Sequence, residues 1–501
     1  VAVTASTDVL PVVREYERTL AAVLNAIVMP GVGAYVARLE QRLAGAGVRA
    51  PLLLMQSNGG VAGADAIRRA PALTALSGPA AGVIAGSAIA AAAGFDNIIT
   101  CDMGGTSFDV SLLSGGRPAL AAQTAIDFGM VVRTPMIEIT TIGAGGGSIA
   151  SVDPSGLLNV GPESAGSDPG PVCYGLGNDR PTVTDANLVL GRINPARPIG
   201  GKLERLDVAA ARAAVERTVA TPLGLSIEDA AEAILKVANA KMAGAIRLVS
   251  IERGHDPATF AAMPFGGGGA LHTGALIKEV GLGSALVPRF PGVTSALGCV
   301  VADMRHDRVQ TVNRMLDEID TAALGREMAA VAAETETLLH AADIEFVGLD
   351  RLYEFDMLYL GQTHTVSVPV EVPDSGLTRE AVRNAFEAAY LEAFGRLLAD
   401  IPMRVMSYRI AVVGRRPQFD MSVFAPTDGK PADACRTDQR RVYADGAFHD
   451  APVYERLELG VDARITGPAL LEQPDTTIFV DAGLAARVDA FGNLVITPME
   501  E

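Results

Sequence analysis

Hydrophobic residues recur at helical spacing near the start of the chain. Arg14 to Val28 forms one run that Pro30 should end, and Val32, Tyr35, Val36, Leu39 and Leu43 line one face of a second. Gly45 and Gly47 stop that second helix, and Pro51 to Met55 reads as a short buried strand. Pro71 to Phe95 carries no charge, but small residues dominate it and Pro71 and Pro79 interrupt it. It therefore reads as a loop followed by a tightly packed helix rather than a membrane span. Asn97 to Cys101 and Phe108 to Leu113 are further strands, with a hairpin turn expected at Ser114-Gly115-Gly116.

Residues 141–200 are rich in Gly, Pro, Ser and Asp and show little periodicity, which in a compact domain points to a loop region lining a site. Helical spacing resumes near Asp207. Ser226, with Asp229 three residues on, resembles a capping box for a long helix reaching about Glu252 and closed by Gly254. Thr259 to Phe265 is a strand, and a glycine run and a helix through Val280 follow. Strands, glycine turns and helices alternating in this way predict an α/β domain over residues 1–315. Helices from Thr321 to Ala342 and Arg379 to about Leu398 then accompany alternating strand segments, with Pro369 at a strand end or a sheet edge. The last hundred residues carry strand and turn signals, so residues 316–501 are expected to form a β-rich α+β C-terminal domain.

Composition narrows the function classes. At 501 residues, 49% hydrophobic and 20% charged, the chain is long enough for two or three globular domains. A net charge of −17 without a basic run argues against nucleic acid and anionic membranes as partners. Cys101, Cys173, Cys299 and Cys435 are far apart, which fits a reduced, cytoplasmic setting. The chain begins at Val1, and a processed or truncated start is expected.

The 53 glycines gather into clusters that carry candidate chemistry. Asp102-Met-Gly-Gly-Thr-Ser-Phe-Asp109 lies between two strands. Gly104 and Gly105 can offer backbone N–H groups to phosphate oxygens, and Thr106 and Ser107 add hydroxyl donors. Asp102 is suited to hold Mg²⁺ through water, and Asp109 to orient or deprotonate a water or hydroxyl nucleophile. In Phe265 to His272, Gly266, Gly267, Gly268 and Gly269 can lie flat against a nucleotide ahead of a helix. Thr141 to Ser148 is a third cluster, suited equally to anion contact and to close packing.

Together these segments resemble the hydantoinase A/5-oxoprolinase family. The resemblance extends through Glu15 to Arg18, Met55 to Gly60, Ser77 to Gly82, Val160 to Gly166, Asp168 to Gly175 and Pro181 to Asn187. It implies an actin/hexokinase-like (ribonuclease H-like) ATPase core, with Asp102 to Asp109 as the second phosphate motif and Gly266 to Gly269 on the adenosine side. It also implies ATP-dependent activation of a small cyclic amide (a hydantoin, 5-oxoproline or a lactam) by phosphorylation of its carbonyl before ring opening. The alternatives are an ATP-dependent ketone carboxylase subunit and a non-catalytic nucleotide-binding assembly subunit. The cofactors implied are ATP and Mg²⁺, with Mn²⁺ or Zn²⁺ as substitutes.

A hydantoinase B-type second subunit is the expected partner. The family's first phosphate motif has no counterpart after Val1, so a fragment, or a split enzyme with a separate N-terminal chain, is expected, inactive by itself. Phe108 departs from the family motif, which commonly has a hydroxyl residue there. Asp168, Cys173, Asp185 and His272 stand out as polar residues of the matched motifs, candidates for a substrate or metal site.

Overall fold

The strand–turn–strand unit expected around residues 97–113 forms as two antiparallel strands, Ile98–Met103 and Phe108–Ser114, in a computed structural model. The structure describes residues 3–12, 15–121, 124–126, 130–132, 136–201, 203–373 and 375–499. The chain folds into two units, each discontinuous in sequence. One is made of Val1–Ala80, Leu120–Ile137 and Val301–Gln418; the other of Ala81–Ala119, Glu138–Val300 and Phe419–Glu501.

The second unit is built on a nine-stranded mixed sheet. Its spatial order is Thr140–Ile142, Phe108–Ser114, Ile98–Met103, Ala261–Phe265, Ser284–Val287, Leu494–Pro498, Leu484–Val488 and Arg464–Thr466, with Arg117–Pro118 paired to Phe108–Ser114. Ala261–Phe265 runs parallel to both Ile98–Met103 and Ser284–Val287. The turns after Met103 and Phe265 therefore leave the sheet at the same end, where α/β sheets characteristically place ligands. Ile227–Val249 packs on Phe108–Ser114 and Thr140–Ile142. It starts as expected, with the Ser226 side chain accepting from the Asp229 N–H, and it buries Ile234, Leu235, Met242 and Ile246 at helical spacing. A short 3-10 turn, Ile251–Arg253, closes on left-handed Gly254.

The same unit holds a four-stranded sheet, Arg436–Ala444, Ala447–Glu455, Ala469–Gln473 and Thr476–Val480. Among the described residues no α-helix follows Phe394, in keeping with the strand and turn signals of that region. Residues 141–200 are more regular than their composition predicts. They contain the hairpin Ser148–Val152/Leu158–Ser164 and the helix Val183–Val189.

The first unit carries a six-stranded sheet in the order Leu53–Met55, Val61–Gly63, Met304–Met315, Met403–Arg415, Gly348–Tyr359 and Val366–Val370. Thr321–His340 packs on two of its central strands, and Arg379–Phe394 on the edge strand. Pro369 lies in that edge strand opposite Glu354, where its missing N–H breaks no ladder bond to an outer neighbour. Pro30 does not end a helix: it sits inside a single helix, Glu15–Gly45. Proline removes one donor and one carbonyl bond, a local cost that the buried anchors Ala21, Asn25 and Val36 on either side offset. By length and composition alone this is the one helix among the described residues that is long and apolar enough to cross a membrane. The uncharged 71–95 stretch instead forms the turn Pro71–Thr74 and the helix Ser77–Ala93, as expected.

Candidate functional site

Asp102 and Asp109 are cross-strand partners, so their side chains leave the same face of the sheet with Cβ atoms about 5 Å apart. Thr141 is in register with Asp109 on the next strand, and its hydroxyl donates to Asp109 Oδ1 at 2.5 Å. The Ser107 hydroxyl donates to Oδ2 at 3.3 Å. Burial pushes the Asp102 carboxyl up to about 6, the charge of Asp109 adds to this, and a hydrogen bond from Ser295 opposes it. Asp109 is also raised by burial, against the two hydroxyl bonds that favour its charged form. Two half-buried carboxylates facing each other repel, and a cation between or beside them relieves that repulsion. Such a pair suits a hydrated divalent ion and a positioned water or hydroxyl.

The loop between the two strands is open on one side and supported on the other. Gly104, Gly105 and Thr106 are exposed, and nothing lies within 4 Å of a Cβ built at either glycine. The carbonyls of Gly104 and Gly105 accept from the Gly146 and Gly147 N–H groups at 3.0 and 2.6 Å. A Cβ on Gly145 would come within 2.6 Å of the Gly105 and Thr106 backbone. The third glycine cluster is thus the buttress of the first: glycine is required there for backbone-on-backbone packing. Thr184 holds the buttress in turn, its N–H and hydroxyl both donating to the Gly146 carbonyl at 2.8 and 2.9 Å.

Gly266 opens the second cluster at φ +76°, and a Cβ there would lie 2.5 Å from the Met103 carbonyl and 2.6 Å from Asp102 Oδ1. Phe265 pairs with Asp102 across the parallel ladder, so the turn must pass directly over the carboxylate, which only glycine allows. The expected flat glycine run instead coils into a single helical turn, Gly266–Gly269, before His272 leads into the helix Thr273–Val280. The Thr476 hydroxyl donates to the Gly267 carbonyl at 3.2 Å.

Of the four polar candidates the structure brings Cys173 and Asp185 together, but among the described residues no group of three or more His, Cys, Asp and Glu could hold a metal. Asp185 is fully buried and committed to structure. Its carboxylate accepts from the N–H groups of Val172, Cys173 and Thr182 and from the Thr182 hydroxyl, completing a capping box for Val183–Val189. Cys173 is buried beside it, and burial with that neighbouring charge pushes its thiol strongly up, away from reactivity. Asp168 is exposed. His272 is 1% exposed, with Nδ1 2.6 Å from Asn239 Oδ1; burial and the nearby Arg192 charge lower its imidazole to about 3. Sequence reasoning assigned no role on the acidic pair to Thr141 or Ser295. Thr141 reaches Asp109 through sheet register and Ser295 reaches Asp102 from a distant helix, and neither relation leaves a local sequence signal.

Residues 18–308 match the model of the family described as hydantoinase/oxoprolinase, and residues 325–496 that of its C-terminal domain. The caprolactamase subunit alpha of Pseudomonas jessenii is 36% identical over 502 residues, covering 98% of this chain and 71% of that protein. The acetophenone carboxylase gamma subunit of Aromatoleum aromaticum is 31% identical, covering 100% of this chain and 69% of its own length. The crystal structure of the ATP-dependent caprolactamase from Pseudomonas jessenii superposes with a TM-score of 0.85 at 35% identity, over 99% of this chain and 72% of that one.

Proposed function

Because the chain belongs to the hydantoinase/oxoprolinase family, we propose that it is an ATP-using subunit with an actin-like core that activates the carbonyl of a cyclic amide for ring opening. The observation that carries this is the facing pair Asp102 and Asp109, bracketing an open Gly-Gly-Thr turn with the Gly266 turn pressed against it. In this reading Gly104, Gly105, Thr106 and Ser107 surround the phosphates, and Gly266 to Gly269 approach the nucleoside. Asp102 would hold Mg²⁺, which would supply charge neutralisation to the phosphates. Asp109, oriented by Thr141 and Ser107, holds the reacting oxygen in line. The γ-phosphoryl group passes to the amide oxygen and ADP leaves. Water then adds to the activated carbon, the C–N bond breaks to free the ring amine and leave an acyl phosphate, and a second water hydrolyses that to carboxylate and phosphate.

Relatives named as subunits support a second chain that completes the reaction. The test is ATP turnover by the full-length protein with its partner, with caprolactam, 5-oxoproline and hydantoin offered in turn. One of these should stimulate phosphate release, and Asp102→Asn should abolish it. An assembly that binds no nucleotide overturns the reading. Likeness to the acetophenone carboxylase subunit favours a second reading, ketone activation ahead of carboxylation. ATP turnover that requires a ketone and bicarbonate, and ignores every lactam, selects it.

A further inference from the structure

Two buried nitrogens close to the Gly266–Gly269 turn have no hydrogen-bond partner among the described residues: His272 Nε2 and Arg192 Nε. His272 and Arg192 are 1% and 6% exposed, and the Arg192 guanidinium lies over the Phe479 ring at 4.5 Å. The other imidazole nitrogen is engaged, with Nδ1 2.6 Å from Asn239 Oδ1, on the buried side of helix Ile227–Val249. A bare buried nitrogen is costly, and an apolar side chain at position 272 would avoid that cost. The imidazole therefore has a geometric task in the fold.

That task is visible in how the turn is held. Gly266 is fixed against Asp102 and Met103 by close packing, and the Gly267 and Ala270 carbonyls are held by the Thr476 hydroxyl and the Phe479 N–H at 3.2 and 3.4 Å. On the helix side the tie is His272, whose N–H donates to the Gly269 carbonyl at 3.2 Å while its ring reaches Asn239. We propose that His272, fixed by Asn239, is a positioning residue that locks the Gly266–Gly269 turn to helix Ile227–Val249 and so sets the backbone surface offered to the nucleotide. This rests on the nucleotide reading above.

The test uses the full-length protein with its partner subunit and measures kcat and KM for ATP alongside the melting temperature. His272→Ala and Asn239→Ala should each raise KM for ATP about tenfold and change kcat by less than about twofold. The double variant should be no worse than either single one, since the two side chains act as a unit. His272→Gln, which retains an N–H for Asn239, should recover most of the affinity. Variants that melt earlier but keep the wild-type KM, or two effects that simply add, overturn the proposal. Wild-type protein that fails to bind a non-hydrolysable ATP analogue overturns the nucleotide reading itself, and this assignment with it.

Discussion

Asp102 is held where its charge is a liability to the fold. Its folded carboxyl titrates at about 6 instead of 3.8, so between those values the folded state holds more protons than the unfolded chain. Stability attributable to this group therefore falls as pH rises through that window, and at neutral pH its charge is a net cost. In metal-free buffer, Asp102→Asn is expected to stabilise the protein at pH 7.5 by about 1–3 kcal/mol. The gain should vanish below about pH 4, where both forms are uncharged. His272, lowered to about 3, contributes the opposite slope as pH falls, but it is common to both proteins and cancels in the comparison. Melting curves against pH check this, and a variant less stable than wild type at pH 7.5 would show that the carboxylate is compensated. Gain of stability with loss of turnover is the signature of a group retained for chemistry.

At the scale of elements, the three glycine clusters divide into a surface and its supports, and two substitutions separate them. Gly104→Ala meets nothing within 4 Å, so its stability should stay within about 0.5 kcal/mol of wild type. Its methyl nonetheless stands where a phosphate would approach, so affinity for ATP should drop. Gly145→Ala drives a methyl into the Gly105–Thr106 backbone and should cost both affinity and about 2–4 kcal/mol of stability. Calorimetric titration beside thermal unfolding distinguishes the two; equal stability losses would contradict the division.

This division also marks how far the sequence could be read. The placement of Asp102 and Asp109 on two neighbouring strands and of a turn at Gly266 was legible because strand ends, turns and helix caps are local, and the Ser226 cap fell where its spacing predicted. Which cluster faces outward was not legible, because it depends on the pairing of Gly146 and Gly147 with the Gly104 and Gly105 carbonyls. Nor was the commitment of Asp185 to a capping box that also serves Val172 and Cys173. Pro30 misled for a related reason: the anchors that carry a helix through a proline come from other parts of the chain. Asn25 alone bonds the Arg69 carbonyl and the Ala72 N–H, each at 3.1 Å.

For the molecule as a whole, solubility is set by two opposed features. A net charge of −17 keeps copies of the chain apart. Against it stands the outer face of helix Glu15–Gly45, which carries no charge from Thr19 to Ala37. Tyr16, Val23 and Ile27 fall on one stripe of that face and are 72%, 47% and 69% exposed. Long-range repulsion is screened at physiological salt within about 8 Å, whereas contact between apolar stripes is not. Self-association of the 501-residue chain should therefore increase with ionic strength. Replacing both Val23 and Ile27 with Glu should suppress it while shifting stability by less than about 0.5 kcal/mol, because neither side chain supports the core. Sedimentation at low and high salt, with melting temperatures for both proteins, reads out each part. If the double variant melts markedly earlier, the stripe supports the fold, and its apolar character belongs to an internal interface instead of a free surface.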